Sequence, residues 1–252
     1  MPIRAVVFDL FDTLVDLRWE KLPATEHKGK RLPATAPLLH GHVARHAEVD
    51  FDTFLETLLE GDRAFVESHY KKGREVPTQV RFADLIGRFG VEDAALVDTM
   101  TAEHMGMLRS GVEVLPHHCE VLDELGRSLR LGLCSNFSHT DTALAVLEDA
   151  GLRERLEPEA LVVSDTCGWR KPRAEIFEEV LERLGVDAHE ALHVGDSLRA
   201  DIGGAAPLGL RNVWITRRIA DPEEALAKHE GPAPDHVIGD LSELPALCES
   251  LG

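Results

Sequence analysis

Acidic, basic and hydroxyl residues that could bind a cation and an anionic ligand follow several short apolar runs of this chain. In an open parallel sheet, residues at the carboxyl ends of the strands meet at one edge, where ligands bind. Carboxylates grouped at such an edge repel each other unless a lysine or a hard cation neutralises them, and Mg²⁺ suits carboxylates, water and phosphate oxygens. The sequence therefore predicts a Mg²⁺ site there. The segments are Asp9-Leu10-Phe11-Asp12-Thr13, Ser135-Asn136, Lys171-Pro172, and Gly195-Asp196-Ser197 with Asp201 five residues after Asp196.

The apolar runs that precede these residues have the pattern of buried parallel strands. Each run is short and is bounded by polar residues or glycine. Helical patterns lie between them, over Thr140–Ala150 and over Ala174–Leu184, and Gly185 ends the second one. This alternation predicts an α/β fold with a doubly wound, Rossmann-like parallel sheet. The predicted strands are Ile3–Phe8, Leu129–Cys134, Ala160–Val163, Ala191–Val194, Asn212–Thr216 and His236–Ile238.

A long segment after the first strand breaks this alternation. It contains no convincing buried strand, and Leu22–Pro37 is rich in turn residues, which predicts a long loop. We therefore expect a Rossmann-like core formed by 1–15 and 111–252 and an inserted helical domain formed by 16–110. The helical patterns of the insertion are Phe51–Phe65, Arg81–Phe89 and Asp93–Leu108.

Taken in order, the four polar segments resemble the motifs of the haloacid dehalogenase superfamily of hydrolases. Each motif alone is weak evidence, but four in order, each after a predicted strand, are specific, and the resemblance covers the whole core. The inserted helical block resembles the helical C1-type cap that this family carries between its first two motifs. The matching segments are Asp9-Leu10-Phe11-Asp12-Thr13-Leu14, Ser135-Asn136, Lys171-Pro172 and Gly195-Asp196-Ser197-Leu198-Arg199-Ala200-Asp201.

The resemblance implies a set of Mg²⁺ ligands. Asp9 would bind the ion with its carboxylate, and Phe11 would bind it with its backbone carbonyl. Asp196 would bind the ion directly or through water, and Asp201 would hold the coordination shell of the ion in place without binding the ion itself.

The resemblance also implies catalytic roles. Asp9 would be the nucleophile, and a carboxylate nucleophile divides hydrolysis into two easier steps through a covalent intermediate. Thr13 would support Asp9, and Ser135, followed by Asn136, would hold a substrate oxygen. Lys171 would neutralise Asp9 and the anionic substrate.

The first motif departs from the phosphatases of this family at Phe11. Those enzymes have a second Asp at this position, which acts as the general acid and base, whereas the haloacid dehalogenases have an aromatic residue and need no metal. Asp12, one residue later, is a tentative substitute acid, although adjacent side chains point in different directions. The acidic pair of Asp196 and Asp201 favours the metal-dependent branch, because buried acids without a cation are costly.

Three functions remain open at this point. The preferred one is Mg²⁺-dependent hydrolysis of a small phosphorylated metabolite through an aspartyl-phosphate on Asp9. The second is a 2-haloacid dehalogenase, in which the same Asp forms an ester and no metal takes part. The third is a catalytically weak binding or regulatory protein that keeps the core but lacks the acid at Phe11.

Composition restricts the partners of the chain. Its 252 residues carry 27 basic and 45 acidic side chains, a formal net charge of −18 that repels nucleic acid and anionic membranes. No apolar run reaches the roughly 18 residues that a membrane span needs, and the first residues show no signal-peptide pattern. The four cysteines are far apart, which is typical of reduced thiols. We expect a cytoplasmic protein that acts on a small anionic substrate, and the sequence does not indicate its oligomeric state.

Local patterns also have purely structural interpretations. Ser135-Asn136 is compatible with the N-cap of the following helix, Lys171 with a solvated lysine before a helix, and Asp201 with an acid in a first helical turn. His117-His118-Cys119 predicts a helix start after a proline rather than a metal site, since no third ligand group lies at a recognisable spacing. The basic run 27–31 predicts a solvated surface, with Arg31 as a loose candidate for holding a substrate anion.

Overall fold

The chain forms two compact units. The structure is a computed structural model that describes residues 2–251, with the backbone alone described at Lys30. One unit contains the residues up to Asp16 and from Glu113 onward, and the other contains Leu17–Val112. The strands are β1 (Ala5–Phe8), β2 (Asp16–Leu17), β3 (Ala24–His27), β4 (Lys30–Pro33), β5 (Val112–Glu113), β6 (Arg130–Ser135), β7 (Leu161–Val163), β8 (Ala191–Gly195), β9 (Arg211–Ile215) and β10 (His236–Ile238). The helices are α1 (Thr35–Val43), α2 (Phe51–Ser68), α3 (Thr78–Gly87), α4 (Ala94–Ser110), α5 (His117–Leu125), α6 (Thr140–Asp149), α7 (Ser164–Cys167), α8 (Ala174–Leu184), α9 (Gly203–Ala205), α10 (Pro222–Ala227) and α11 (Leu244–Ser250).

The first unit is built on a six-stranded sheet in the order β10-β9-β8-β1-β6-β7. All of its neighbouring strands run parallel. β1 lies in the centre, where Phe8 is in register with Leu133 of β6 and with Val194 of β8. The residues that directly follow β1, β6 and β8 therefore emerge side by side. The predicted α/β fold with a parallel sheet is confirmed, and so are its six predicted strands.

Burial on both faces explains why the strand sequences are almost continuously apolar. Every residue of β1 and of β8 is buried. The helix α8 has the bounds expected from its apolar spacing, and Ile176, Phe177 and Val180 on its inner face are fully buried against the sheet. Burying each such side chain contributes about 1.5–3 kcal/mol. The packing fixes β1, β6 and β8 relative to one another, and with them the residues at their ends.

The second unit contains α1 to α4 around its own core, in which Phe54 and Met100 are fully buried. The side chains of Asp50 and Asp93 cap α2 and α4 by accepting hydrogen bonds from backbone N–H groups. No helix within residues 2–251 has the length and apolar character that a membrane crossing requires.

The predicted long loop over Leu22–Pro37 is wrong. This segment contains the antiparallel strands β3 and β4, joined by Lys28 and Gly29, and the first residues of α1. Both turn residues have positive φ, 49° and 73°, as a two-residue hairpin turn requires. The sequence did not predict this hairpin turn because its first residue is lysine, whereas Asn, Asp or Gly usually occupies that position.

A half-buried histidine makes the second unit sensitive to acid. Burial lowers the pKa of His104 to about 4 from 6.5, the nearby Arg81 guanidinium adds to the shift, and Asp62 opposes it. The unfolded chain then takes up this proton first, so the free energy of unfolding falls as the pH drops from about 6.5 to about 4. Between pH 7.5 and pH 5, we expect about 2 kcal/mol of this loss to be absent in His104→Gln. Urea unfolding at pH 7.5 and pH 5 measures it. The exposed His46→Gln is the control, and an equal acid loss in wild type and His104→Gln would contradict the assignment.

Candidate active site

Asp9 lies at the end of the central strand and is almost completely buried. Its backbone N–H donates to the carbonyl oxygen of Val194 at 2.9 Å, which continues the pairing of β1 with β8 beyond the strand itself. Its side chain therefore leaves the sheet at a fixed point. Ser135 ends β6 on one side, and Asp196 follows β8 on the other.

Lys171 connects two of the predicted acids. Its Nζ lies 2.7 Å from Asp9 Oδ1 and 2.6 Å from Asp201 Oδ1, and the side chain is 1% exposed. Burial alone would lower the pKa of Lys171, but Asp201 and Asp9 outweigh burial and raise it well above its ordinary value. The lysine therefore stays charged, and the interpretation of Lys171 as a solvated residue is wrong.

Asn136 holds the backbone of Lys171 from both sides. Its Nδ2 donates to the Lys171 carbonyl at 3.0 Å, and the Lys171 N–H donates to its Oδ1 at 2.7 Å. The interpretation of Ser135-Asn136 as a helix N-cap is wrong, because His139 caps the following helix. The structure places Asn136 instead as a residue that positions the lysine.

Asp201 is held by donors on every side. Its Oδ1 accepts from Lys171 and, at 2.9 Å, from His193 Nε2, and its Oδ2 accepts from the Ser197 N–H at 2.9 Å. Burial would raise the pKa of Asp201, but Lys171 and His193 lower it well below its usual range. It lies in the first turn of a short π-helix, Leu198–Ile202, as its structural interpretation predicted, but it is buried and bound by donors from other segments.

Gly195 makes room for this carboxylate. A Cβ on that residue would lie 2.2 Å from Asp201 Cγ, far inside van der Waals contact. Only glycine lets the end of β8 approach the acid so closely.

His193 belongs to the hydrogen-bond network of the candidate site and was missed by sequence analysis. It lies in the middle of β8, fully buried, and its ring meets Phe177 edge-on with the centroids 5.1 Å apart. A polar residue inside the apolar run Ala191–Val194 was the available signal. Its hydrogen bond to Asp201 orients the acid that, in turn, contacts Lys171.

We expect His193→Leu to lower kcat by about 10–100-fold. Losses of this size are typical when a residue that orients a metal-site carboxylate by a hydrogen bond is removed. Asp201 would lose a donor while its bond to Lys171 remained. His193→Gln, which retains a donor, should restore part of the rate, and circular dichroism should show both variants folded. Equal rates in the leucine and glutamine variants would remove the positioning role.

Three carboxylates gather at this edge of the sheet. Asp9, Asp196 and Asp201 each offer an oxygen within 4.8 Å of the other two. Burial raises the pKa of Asp9, Lys171 opposes the rise, and Asp201 adds to it. Burial and then the charges of Asp9 and Asp201 raise the pKa of Asp196 to about 8. An oxygen cluster that is short of positive charge fits a hard cation such as Mg²⁺, which would lower both pKa values again.

Two buried hydroxyls belong to Ser135, which ends β6, and to Thr13, which lies in the turns after β1. Within residues 2–251, neither Thr13 Oγ1 nor Ser135 Oγ has a hydrogen-bond partner, although both residues are fully buried or nearly so. A buried hydroxyl without a partner costs about 1–3 kcal/mol, which a bound substrate oxygen would recover. The two hydroxyls therefore fit an oxyanion.

Phe11 and Asp12 occupy the turn after β1. The Phe11 ring packs on Phe137 with centroids 5.0 Å apart, so an aromatic pair follows the strands of Asp9 and Ser135. Asp12 has φ 58°, and its Oδ1 lies 3.6 Å from Arg218 Nε.

The other charged motifs belong to the second unit. His27 and Lys28 contact Asp52 at 2.5 and 2.8 Å, and Arg31 donates to the Leu22 carbonyl at 3.3 Å.

The histidine motif His117-His118-Cys119 lies at the start of a helix. The predicted helix start is confirmed, since α5 begins at His117. Cys119 turns away and donates to the Ala150 carbonyl at 3.4 Å. Asp240 lies beside both histidines, 123 positions from His117, so it is a third possible ligand that no sequence spacing could indicate.

Solved structures share this architecture. That of the putative HAD-hydrolase YfnB from Bacillus subtilis bound to magnesium has a TM-score of 0.58 and 23% identity, over 98% of this chain and 99% of that chain. That of the 2-haloacid dehalogenase from Pseudomonas syringae pv. Tomato DC3000 has a TM-score of 0.69 and 21% identity, over 99% and 100% of the two chains. At these identities, the likeness establishes a common fold.

Sequence comparison establishes the family. A model described as haloacid dehalogenase-like hydrolase matches residues 3–209. The haloacid dehalogenase-like hydrolase domain-containing protein 3 of Bos taurus is 34% identical over 263 residues, which cover 98% of this chain and 94% of that protein. The strand ends that carry Asp9, Ser135 and Asp196, together with these matches, make the chain a member of the haloacid dehalogenase-like hydrolase family.

Proposed function

We propose that this hydrolase is a Mg²⁺-dependent phosphatase of small phosphate monoesters, with Asp9 as its nucleophile. The carboxylate cluster carries the proposal. Asp9, Asp196 and Asp201 lie together, Lys171 pairs with Asp9 and Asp201, and the pKa of Asp196 rises to about 8 because of burial and its acidic neighbours. This excess of negative charge is what a divalent cation and Lys171 together would balance. The solved relative with bound magnesium agrees with that chemistry.

The residues of the chain divide the work between them. An Asp9 oxygen forms a bond to phosphorus while the ester P–O bond breaks, and water then attacks the aspartyl-phosphate to release inorganic phosphate and the free carboxylate. Lys171 holds Asp9 in position and balances charge on the phosphoryl group, while Thr13 and Ser135 donate hydrogen bonds to its oxygens. Mg²⁺, held by Asp9, Asp196 and the Phe11 carbonyl with Asp201 behind them, would neutralise charge that develops on the phosphoryl oxygens.

Phe11 affects the choice of substrate. It brings an aromatic ring, packed on Phe137, to the position where the resembling phosphatases have their general acid. Protonation of the leaving group then comes from water, which favours esters with good leaving groups. We further propose that the helical second unit, Leu17–Val112, acts as the cap that selects among them.

The same aromatic pair supports a second candidate, a 2-haloacid dehalogenase. In that reaction an Asp9 oxygen would displace halide from carbon, and water would open the resulting ester. The ring of Phe11 beside Phe137 offers an apolar surface suited to a halogenated carbon. The fold neighbour from Pseudomonas syringae is itself a 2-haloacid dehalogenase.

One pair of assays separates the candidates. Purified protein is incubated with a panel of phosphate esters that includes p-nitrophenyl phosphate, with Mg²⁺ or with EDTA, and separately with 2-chloropropionate. Phosphate release that requires Mg²⁺ is the expected result. Chloride release in EDTA would replace the phosphatase by the dehalogenase. No turnover on either panel would favour a binding or regulatory protein.

Asp12 is the remaining candidate for a general acid, and we expect Asp12→Asn to change kcat by less than about threefold. Its carboxylate pairs with Arg218, and its positive φ is one that Asp and Asn both tolerate, so the amide should preserve the turn. Loss of a general acid would instead cost about 10²–10⁴-fold. Steady-state kinetics with p-nitrophenyl phosphate and with an alkyl phosphate measures the difference. A loss confined to the alkyl phosphate would restore Asp12 as the acid, because that leaving group needs the proton most.

A further inference from the structure

A second cluster of metal-ligating residues lies in the first unit, apart from the carboxylates around Asp9. His117 and His118 begin α5, and Asp240 follows β10 and caps the turn at Leu241–Glu243. Each of the three residues offers a ligand atom within 4.8 Å of the other two. Asp240 is 123 positions from His117 in the sequence, but it meets the two histidines because the short turn after β10 packs against α5.

The buried member of this cluster has a free ring nitrogen. His118 is completely buried, and its Nδ1 lies 2.9 Å from the Leu14 carbonyl oxygen. A carbonyl only accepts hydrogen bonds, so Nδ1 carries the proton and Nε2 presents a lone pair. Within residues 2–251, that Nε2 has no hydrogen-bond partner. A buried acceptor without a donor is costly, and a metal ion would satisfy it.

The other two members face each other at the surface. His117 Nε2 lies 3.0 Å from Asp240 Oδ1, and the His117 side chain is 42% exposed. The His117 and His118 rings meet edge-on, with centroids 4.5 Å apart. An ion can therefore enter from solvent on the His117 side, and water can complete its coordination.

The charges around the cluster restrict which cations it can bind. Asp240 Oδ1 also accepts from the Ser242 N–H at 3.0 Å, and its Oδ2 lies 3.6 Å from Arg217 Nε. Arg217 is engaged mainly by Asp16, to which it donates two hydrogen bonds. The guanidinium near the carboxylate weakens binding of any cation, so only an ion with strong affinity for imidazole would compete.

We propose that His117, His118 and Asp240 form a binding site for a divalent transition metal of the zinc class. Two imidazole nitrogens and one carboxylate oxygen favour Zn²⁺, Co²⁺ or Ni²⁺ over Mg²⁺ and Ca²⁺, which prefer oxygen ligands. Because His118 also bonds to Leu14 in the segment after Asp9, the ion braces the chain that leads out of β1. The site would be structural, and it is distinct from the carboxylates around Asp9, whose role as the Mg²⁺ site rests on the proposed function.

Metal binding by the whole chain tests this site directly. Protein stripped with EDTA and dialysed into excess Mg²⁺ is titrated with ZnCl₂ by calorimetry, and with CoCl₂ by visible absorption. We expect one equivalent of Zn²⁺, Co²⁺ d–d bands, and a Tm higher by about 5–10 °C at a hundredfold excess of Zn²⁺ over its Kd.

Matched variants assign the ligands. His117→Ala and Asp240→Asn should raise the Kd for Zn²⁺ at least about tenfold, while the exposed His189→Ala should leave it unchanged. Asp9→Asn should also leave it unchanged, which separates this site from the proposed phosphatase site. Undiminished Zn²⁺ binding in both ligand variants, or loss of binding in Asp9→Asn, would overturn the proposal. If His118→Gln fails to fold, the two surface variants still decide.

Discussion

Asp9→Asn is expected to lower Mg²⁺-dependent phosphate release by at least about 10³-fold. An amide oxygen is a poor nucleophile, and the Asn side chain cannot form the aspartyl-phosphate. Lys171 would keep its second partner, Asp201, at 2.6 Å, so the rest of the network should stay in place. The loss should therefore appear in kcat rather than in folding.

We also predict the direction in which Asp9→Asn changes the free energy of unfolding. Burial raises the pKa of Asp9, which means that its ionised form opposes folding at neutral pH. Replacing Asp9 by the neutral Asn should leave the free energy of unfolding equal to or above that of the wild type. Activity at saturating Mg²⁺ and urea unfolding at pH 7.5 measure the two effects on the same preparation.

Asp141→Asn is the matched control, because Asp141 is an exposed acid in the first turn of α6. It should retain full activity. Substantial residual turnover in Asp9→Asn would mean that another group attacks the substrate. A large drop in stability would mean that the loss of activity reports unfolding and not chemistry.

The functional strand ends could be predicted from a single local pattern in the sequence. A buried parallel strand reads as a short apolar run, and its first polar residue marks the edge where function collects. Asp9, Ser135 and Asp196 follow such runs, and the parallel register brings them together without any further information. Lys171 does not directly follow a strand, and its placement depended on the order of the motifs and on family resemblance.

What sequence analysis missed are contacts that join distant segments. Asn136 clamps the Lys171 backbone across 35 positions, and no periodicity predicts an amide that bonds to a loop. His193 lay inside an apolar run and was assigned to the core on that ground. Asp240 reaches His117 across 123 positions, so spacing rules for metal ligands could not include it.

In the candidate active site, the charge of Lys171 lies between two buried acids. Lys171 contacts Asp9 and Asp201, while Asn136 and His193 position the lysine and the second acid. Removing the cation would leave two buried carboxylates without their charge partner, and such a change typically costs about 3–5 kcal/mol. Lys171 should therefore affect stability as strongly as catalysis, unlike Asp9.

Lys171→Met is expected to abolish phosphate release and to lower the free energy of unfolding at pH 7.5 by about 3–5 kcal/mol. In the wild type, Lys171 and His193 lower the pKa of Asp201, so its contribution is present above the unfolded pKa near 3.8 and is lost only in stronger acid.

In the variant, burial without the lysine would raise the pKa of both Asp9 and Asp201 above their unfolded values. Protonation of the two carboxylates as the pH falls towards 4 would therefore remove part of the free-energy cost of burying their charges. The stability difference between wild type and Lys171→Met should therefore be largest at neutral pH and smaller at pH 5, as urea unfolding at both pH values would measure.

The exposed Lys228→Met is the control and should have the same free energy of unfolding as the wild type at both pH values. A stability difference that is the same at pH 7.5 and pH 5 would show that Lys171 stabilises the fold through the packing of its aliphatic chain, because only the charge interaction with Asp9 and Asp201 depends on their protonation.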